Sequence, residues 1–269
     1  MSKENIPYAQ LLAEAVSKPG ILSACYSRFY TYSLGNQIWL WSQILGRNEE
    51  LAPVATFKKW ASLGRYVRKD EKGLTIAMPV TIKDRGTDET FTTFMLRKCL
   101  FTLNQTEGEP YKETSMSAEW DVELALDVLK IEQEAFADLN GNMQGYARGK
   151  SFAINPLAVL PHKTRFHELA HIVLGHTKDT DFSDEAELAK DVREVEAEST
   201  AYILCNVLSL PGLEESRGYI QNWLGQGSLQ DKTAQRIFSA ANKILKAGQP
   251  QKVEARQETL QKTSNFSQI

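Results

Sequence analysis

His167-Glu168-Leu169-Ala170-His171 places two imidazoles four residues apart, with a carboxylate directly after the first. The run 166–174 around them is apolar enough to be helical, and on a helix positions four apart share a face. Both rings can then grip one cation, and Glu168 stands beside the place where a water would bind. Zinc takes nitrogen, oxygen or sulfur donors at about 2.0–2.3 Å, and a catalytic site keeps one position open for water. Three of the chain's four histidines, His167, His171 and His176, fall in this one stretch. That clustering favours a metal site over a chance pair on an amphipathic helix.

A third ligand must come from elsewhere. The segment 184–208 has no Gly or Pro and reads as a second helix. It carries Glu194, Glu196 and Glu198 in Glu-x-Glu-x-Glu spacing. At about 100° per residue, Glu194 and Glu198 fall with Ala201 and Cys205 on a narrow apolar face, while Glu196 points to the far side, near Val192 and Ser199. A buried carboxylate needs a partner charge or a metal. Glu194 is therefore the expected third ligand and Glu196 its main competitor, with Glu196 read as a solvated acid. Glu198 is the candidate acceptor for the outer N–H of a ligand histidine.

Two histidines and one glutamate leave a position for water, whose pKa a metal lowers towards about 7. Glu168 would take its proton as general base and pass it to a leaving amine. That chemistry is peptide hydrolysis. Zinc suits the donors best, and manganese or cobalt also fit. His176 does not match the longer His-Glu-x-x-His-x-x-Gly-x-x-His pattern; it reads as a capping histidine at the helix end beside Gly175, with a place behind a ligand or facing substrate as the alternative. His162 carries no assignment.

The 269 residues suffice for one large or two modest domains. At 42% hydrophobic and 24% charged, the composition is that of an ordinary water-soluble protein. No apolar run nears the length of a membrane span, and Met1 to Asn5 lack a signal core. Cys25, Cys99 and Cys205 are odd in number and far apart, which fits a reducing cytoplasm better than a disulfide framework. The net charge of −3 hides a basic cluster at Lys58, Lys59, Arg65, Arg68, Lys69 and Lys72.

Periodicity assigns two helices to residues 6–46, the second from Arg28 to Leu45 with a turn or cap at 33–36. A short helix at 57–63 and strands at 66–67, 74–82, 90–95 and 99–103 follow, with a hairpin loop at 84–88. The polar stretch 104–117 reads as a linker, 119–139 as a helix, 145–154 as a strand pair and 161–176 as the metal helix. Aromatic rings interleave with the cations: Tyr32 and Trp39 in the first region, Trp60 with Phe57 and Tyr66 in the second. Single-stranded nucleic acid needs rings for its bases and cations for its phosphates. Tyr32, Asn36, Trp39, Lys58, Lys59, Trp60, Arg65, Arg68, Lys69 and Lys72 are the candidate contacts, although such a stripe is more often core and such a loop merely solvated.

Two blocks resemble the ArdC-type antirestriction proteins of conjugative plasmids. The first is Tyr32-Ser33-Leu34-Gly35-Asn36-Gln37, then the run from Phe57 to Lys69, then Lys72-Gly73-Leu74-Thr75-Ile76. The second is Phe166-His167-Glu168-Leu169-Ala170-His171 with Glu194-Val195-Glu196-Ala197-Glu198. One position departs: Lys69-Asp70-Glu71-Lys72 stands where relatives often place a glycine after the basic residue. The resemblance implies an α+β fold, with a single-stranded-DNA-binding domain at 1–110, a linker at 111–118, a mainly helical zincin-like metallopeptidase domain at 119–248 and a polar tail at 249–269. It also implies protection of incoming mobile-element DNA from host restriction. The metal centre would cleave a host protein, act on a repressor or regulator without a DNA role, or only hold the fold together.

Overall fold

Helices α1 (Tyr8–Ser17), α2 (Ile21–Phe29) and α3 (Leu34–Leu45) open the chain. The computed structural model describes residues 6–83, 90–112, 119–138, 142–177, 190–225 and 229–250. The expected hairpin loop at 84–88, most of the linker 111–118 and the tail from 251 lie outside them. Three helices stand where periodicity assigns two: Pro19-Gly20 ends the first, Gly20 in the left-handed region starts α2 in a stretch left without a helix, and the helix expected from Arg28 begins only at Leu34.

Next come β1 (Val54–Thr56), α4 (Phe57–Ser62), β2 (Arg65–Val67), the long hairpin β3 (Leu74–Lys83) and β4 (Thr90–Thr102), and β5 (Thr106–Gly108). β4 is continuous across the break the sequence suggested at 96–98. It is central in an antiparallel sheet of order β1-β4-β3, and β2 pairs with β5. The outer edge of β3 is closed by side-chain amides of α3. Asn36 bonds both the N–H and the carbonyl of Ala77 at 2.9 Å, and Gln43 does the same for Thr75 at 2.8 Å. Further out Pro79 lacks an N–H, so the edge cannot extend by pairing there.

The second half begins with α5 (Val122–Leu129), shorter than the helix expected over 119–139. Asp121 caps its start by accepting from Leu124 N–H at 2.8 Å, and Lys130, with φ 56°, turns the chain out of it. No glycine marks that stop, so composition gave no signal. A small sheet follows, β6 (Glu132–Gln133), β7 (Gly145–Arg148) and β8 (Ser151–Ile154), with β8 in the middle and β7 at the edge. Then come α6 (Pro161–Leu174), α7 (Lys190–Val207), α8 (Leu213–Gly225) and α9 (Asp231–Ala247).

The molecule is α+β, and its core is continuous across both halves. Leu11, Phe29 and Ile38 of α1–α3 belong to the same buried cluster as Phe166, Tyr202 and Ile237. α1 and α3 pack on α9, and α2 packs on α7. Asp231 accepts from Ala9 N–H at 2.9 Å, tying the start of α9 to the start of α1. α7 is surrounded, touching α2, α6, α8 and α9. Past its first turns α7 is covered on several sides, and this decides where its carboxylates go.

Candidate metal centre

Pro161 at the first turn pre-sets the backbone of α6, and Gly175, at φ 81°, ends it. Between them, His167 and His171 project from one face toward α7, which packs along α6. The two Nε2 atoms are 3.1 Å apart. Glu194 of α7 completes the triangle, with Oε2 3.4 Å from His167 Nε2 and Oε1 3.7 Å from His171 Nε2. Ligand atoms placed tetrahedrally at about 2.0–2.1 Å from an ion lie about 3.4 Å apart, so these spacings bracket the geometry a divalent cation needs. The outer nitrogens fit as well. His167 Nδ1 lies 3.2 Å from Glu198 Oε2, and His171 Nδ1 lies 3.0 Å from His176 Nδ1. With both Nδ1 atoms engaged, both Nε2 atoms face inward. His167, His171 and Glu194 thus form a donor set within 4.8 Å.

Glu198 is bound on two sides, by His167 and by Lys163, whose Nζ is 2.8 Å from Oε1. Burial alone would raise its pKa; the bonds to His167 and Lys163 outweigh that and hold it at about 2. Burial would depress His167, yet the bonds to Glu194 and Glu198 raise it to about 9 when no metal competes. Glu168 is buried, and desolvation raises it to about 7, against the pull of His167. It lines a cleft of about 490 Å³ together with Gly145, His171, Arg193 and Glu194. A second cavity of about 450 Å³, lined by Leu160, Lys163 and Thr164, adjoins it through Gly145, His167 and Glu168.

Gly145 was not singled out by the sequence. A Cβ there would stand 2.7 Å from Thr164 Cγ2, 2.9 Å from Ala153 O and 3.2 Å from Glu168 Oε1. Its missing side chain lets β7 lie against α6 at Glu168.

Two expectations are corrected. Glu196 is not a solvated acid: it is wholly buried, with Oε2 2.8 Å from His176 Nε2 and Oε1 3.0 Å from Arg236 Nε. The wheel placed it rightly opposite Glu194, but the far side of α7 is covered by α9 rather than by water. His176 is not a mere end cap: its side chain is 4% exposed and links His171 to Glu196. His162 sits at the helix start, its Nε2 3.0 Å from Pro211 O.

The ten expected nucleic-acid contacts divide sharply. Lys58, Lys59, Arg68, Lys69 and Lys72 are exposed, with Arg68 bonded to Glu71 at 2.7 Å. Tyr32 and Trp39 are part-buried against the core. Three others are committed to the fold. Trp60 is 1% exposed, donates its indole N–H to Phe101 O at 2.9 Å and packs edge-on to Tyr111, so its faces are closed to a base. Asn36 is spent on Ala77, and Arg65 donates to Thr106 Oγ1 at 2.8 Å and to the Thr106 and Glu109 carbonyls. Beside the basic cluster, Phe57, 57% exposed, and Tyr66, 58% exposed, are open to solvent on α4 and β2, which pack together. Asp70 occupies the left-handed region at φ 65°, the conformation for which a glycine suits this loop; aspartate tolerates it better than most side chains.

Residues 13–119 match the family of N-terminal domains of the anti-restriction factor ArdC. Among curated proteins, none matches the chain. Two crystal structures of the antirestriction protein ArdC of plasmid R388 share its fold. The metal-free form is 22% identical with a TM-score of 0.50, covering 90% of this chain and 94% of that one. The Mn(II)-bound form is 20% identical with a TM-score of 0.52, covering 90% and 97%. The family match thus covers the N-terminal part of the chain, and beyond it the likeness to the R388 protein is one of fold.

Proposed function

We propose that this chain is an antirestriction protein that binds single-stranded DNA through its N-terminal region and holds one divalent cation in a peptidase-like centre. The observation that carries the metal half is the triangle of His167, His171 and Glu194, with Glu168 beside it. The Mn(II)-bound form of the R388 protein supports a divalent cation without selecting zinc.

In this reading His167, His171 and Glu194 hold the ion, Glu198 orients His167, and Glu168 is the proton carrier. A bound divalent cation supplies Lewis acidity, lowering the pKa of water and polarising a carbonyl. Glu168, raised to about 7 by burial, can accept a proton at neutral pH and return it to a leaving amine without a large cost either way. Gly145 leaves its carboxyl room to face the cleft. The substrate of such a centre is a host protein met near DNA. Glu168→Gln keeps the donor set intact, so it is expected to retain metal and melting temperature while cutting any peptide hydrolysis by about 10²–10⁴-fold. A variant that hydrolyses as fast as wild type rejects Glu168 as the base. One that stays catalytically dead yet still protects transferred DNA in cells shows that antirestriction does not use hydrolysis.

The nucleic-acid half rests on Phe57 and Tyr66, open rings beside Lys58, Lys59, Lys69 and Lys72. Binding to a labelled single-stranded oligonucleotide is expected to weaken steeply with salt, as phosphate contacts require. Tyr66→Ala is expected to cost about 1–3 kcal/mol of binding with the fold unchanged. Trp60→Ala acts differently, lowering stability by about 3–5 kcal/mol as a core truncation. No binding to any oligonucleotide rejects the DNA role and leaves the metallopeptidase acting on a regulatory protein.

A further inference from the structure

The two ligand histidines are backed in parallel ways. Behind His167 stands a carboxylate paired with a cation, Glu198 with Lys163. Behind His171 stands another such pair, Glu196 with Arg236, but with His176 inserted between ring and carboxylate. The Glu-x-Glu-x-Glu run of α7 therefore supplies one ligand and two separate anchors.

The proton positions along the second chain follow from charge. Glu196 is wholly buried and faces Arg236, with Oε1 3.0 Å from Nε and Oε2 3.2 Å from a terminal guanidinium nitrogen. One negative charge is met by one positive charge, so a second cation at His176 would be buried without compensation. An ionised carboxylate only accepts, so the His176 proton is on Nε2, donated to Glu196 Oε2 at 2.8 Å. Its Nδ1 then offers a lone pair, and His171 must donate Nδ1–H across 3.0 Å. That leaves His171 Nε2 with its lone pair directed at His167 and Glu194. Each ring N–H along the chain meets one acceptor.

The backbone supports the same arrangement. Gly175 turns out of α6, and the His176 N–H bonds back to His171 O at 2.9 Å, which folds the ring beneath that of His171. Arg236 also donates to Leu174 O at 3.2 Å, so one guanidinium ties the carboxylate to the last turn of the metal helix.

We propose that His176, locked by Glu196 and Arg236, is a positioning residue that fixes the tautomer and ring angle of His171 for metal binding. This rests on the metal-centre reading above. The test measures Mn(II) and Zn(II) affinity by chelator competition on the full chain, with melting curves, for wild type, His171→Ala, His176→Phe and His176→Asn. Phenylalanine keeps the ring and removes the acceptor; asparagine offers a carbonyl oxygen near the Nδ1 position but leaves a gap. His176→Phe is expected to bind metal about 10–100-fold more weakly, and His176→Asn within about threefold of wild type. Equal losses in both, or phenylalanine tolerated better than asparagine, overturn the proposal, because packing alone predicts that order. If His171→Ala binds as wild type does, the metal-centre reading itself fails. An independent readout needs no variant. Nitrogen-15 NMR of the wild-type chain after chelation should show His171 protonated at Nδ1 and His176 at Nε2; His171 protonated at Nε2 alone overturns the proposal.

Discussion

Glu194→Ala is expected to keep its fold and lose its metal, whereas Glu196→Ala is expected to lose stability. The two residues lie two apart on one helix and differ in almost every physical respect. Glu194 is 41% exposed at the mouth of the cleft, its oxygens 3.4 and 3.7 Å from the two imidazoles. Removing it takes away one of three donors and leaves two neutral nitrogens, so affinity for a divalent cation should fall by about a thousandfold or more, on the scale of a lost ligand in a structural or catalytic site. Melting in chelator should change little, since nothing buried is orphaned. Glu196 is wholly enclosed and answers both Arg236 and His176. Its removal leaves a cation facing a buried ring and opens a cavity. Breaking a buried pair costs about 3–5 kcal/mol, and the 37% exposure of Arg236 lets the guanidinium turn partly to water, so about 2–4 kcal/mol is expected. Chemical denaturation and elemental analysis of the two proteins separate these outcomes. Metal loss without destabilisation in Glu196→Ala, and the reverse in Glu194→Ala, would exchange the assigned roles.

Those two glutamates also show what a sequence can carry. The pairing of His167 with His171, and of Glu194 with Glu198, follows from helix period alone, and the structure brings all four groups together. The burial of Glu196 did not follow, because a helical wheel gives direction around an axis and nothing about what lies in that direction. The solvated reading assumed one covered face, and α7 is covered on several. Arg236, which answers Glu196, comes from a helix forty residues further on, and no local pattern links them. Trp60 failed for a related reason. Interleaved rings and cations look alike whether the ring faces out or in, and only the Phe101 carbonyl and Tyr111 reveal that this ring is core. α5 stopped early because Lys130 takes a left-handed conformation that sequence reserves for glycine or asparagine. The α+β class, the strand-rich middle and the metal helix were legible because each depends on local period, whereas the shared core of α1–α3 with α7–α9 depends on distant packing.

Metal affinity is expected to climb with pH up to about 9 and then level. With no metal present, His167 is raised to about 9: burial works against the proton, but the bonds to Glu194 and Glu198 outweigh it. At neutral pH that ring therefore carries a proton which an incoming cation must displace. The sign follows from linkage. A group raised on folding adds stability that is complete below its ordinary value near 6.5 and is lost as pH rises through 9, so the metal-free chain loses this support on the alkaline side. The metal-bound chain does not, because there the imidazole is neutral at every pH where metal stays on. Glu198, held at about 2, stays ionised throughout and drops out of the balance. His171, depressed to about 4 by burial and by His167, is already neutral and releases nothing. One proton per ion corresponds to about a tenfold gain in affinity for each pH unit between about 7 and 9. Calorimetric titration of Mn(II) at pH 7.5 in two buffers of different ionisation enthalpy reads that proton directly. Release near one, falling towards zero in His167→Ala as binding disappears, is the expected result. Metal uptake that releases no proton would mean that His167 is not where the ion binds, and the triangle would lose its first corner.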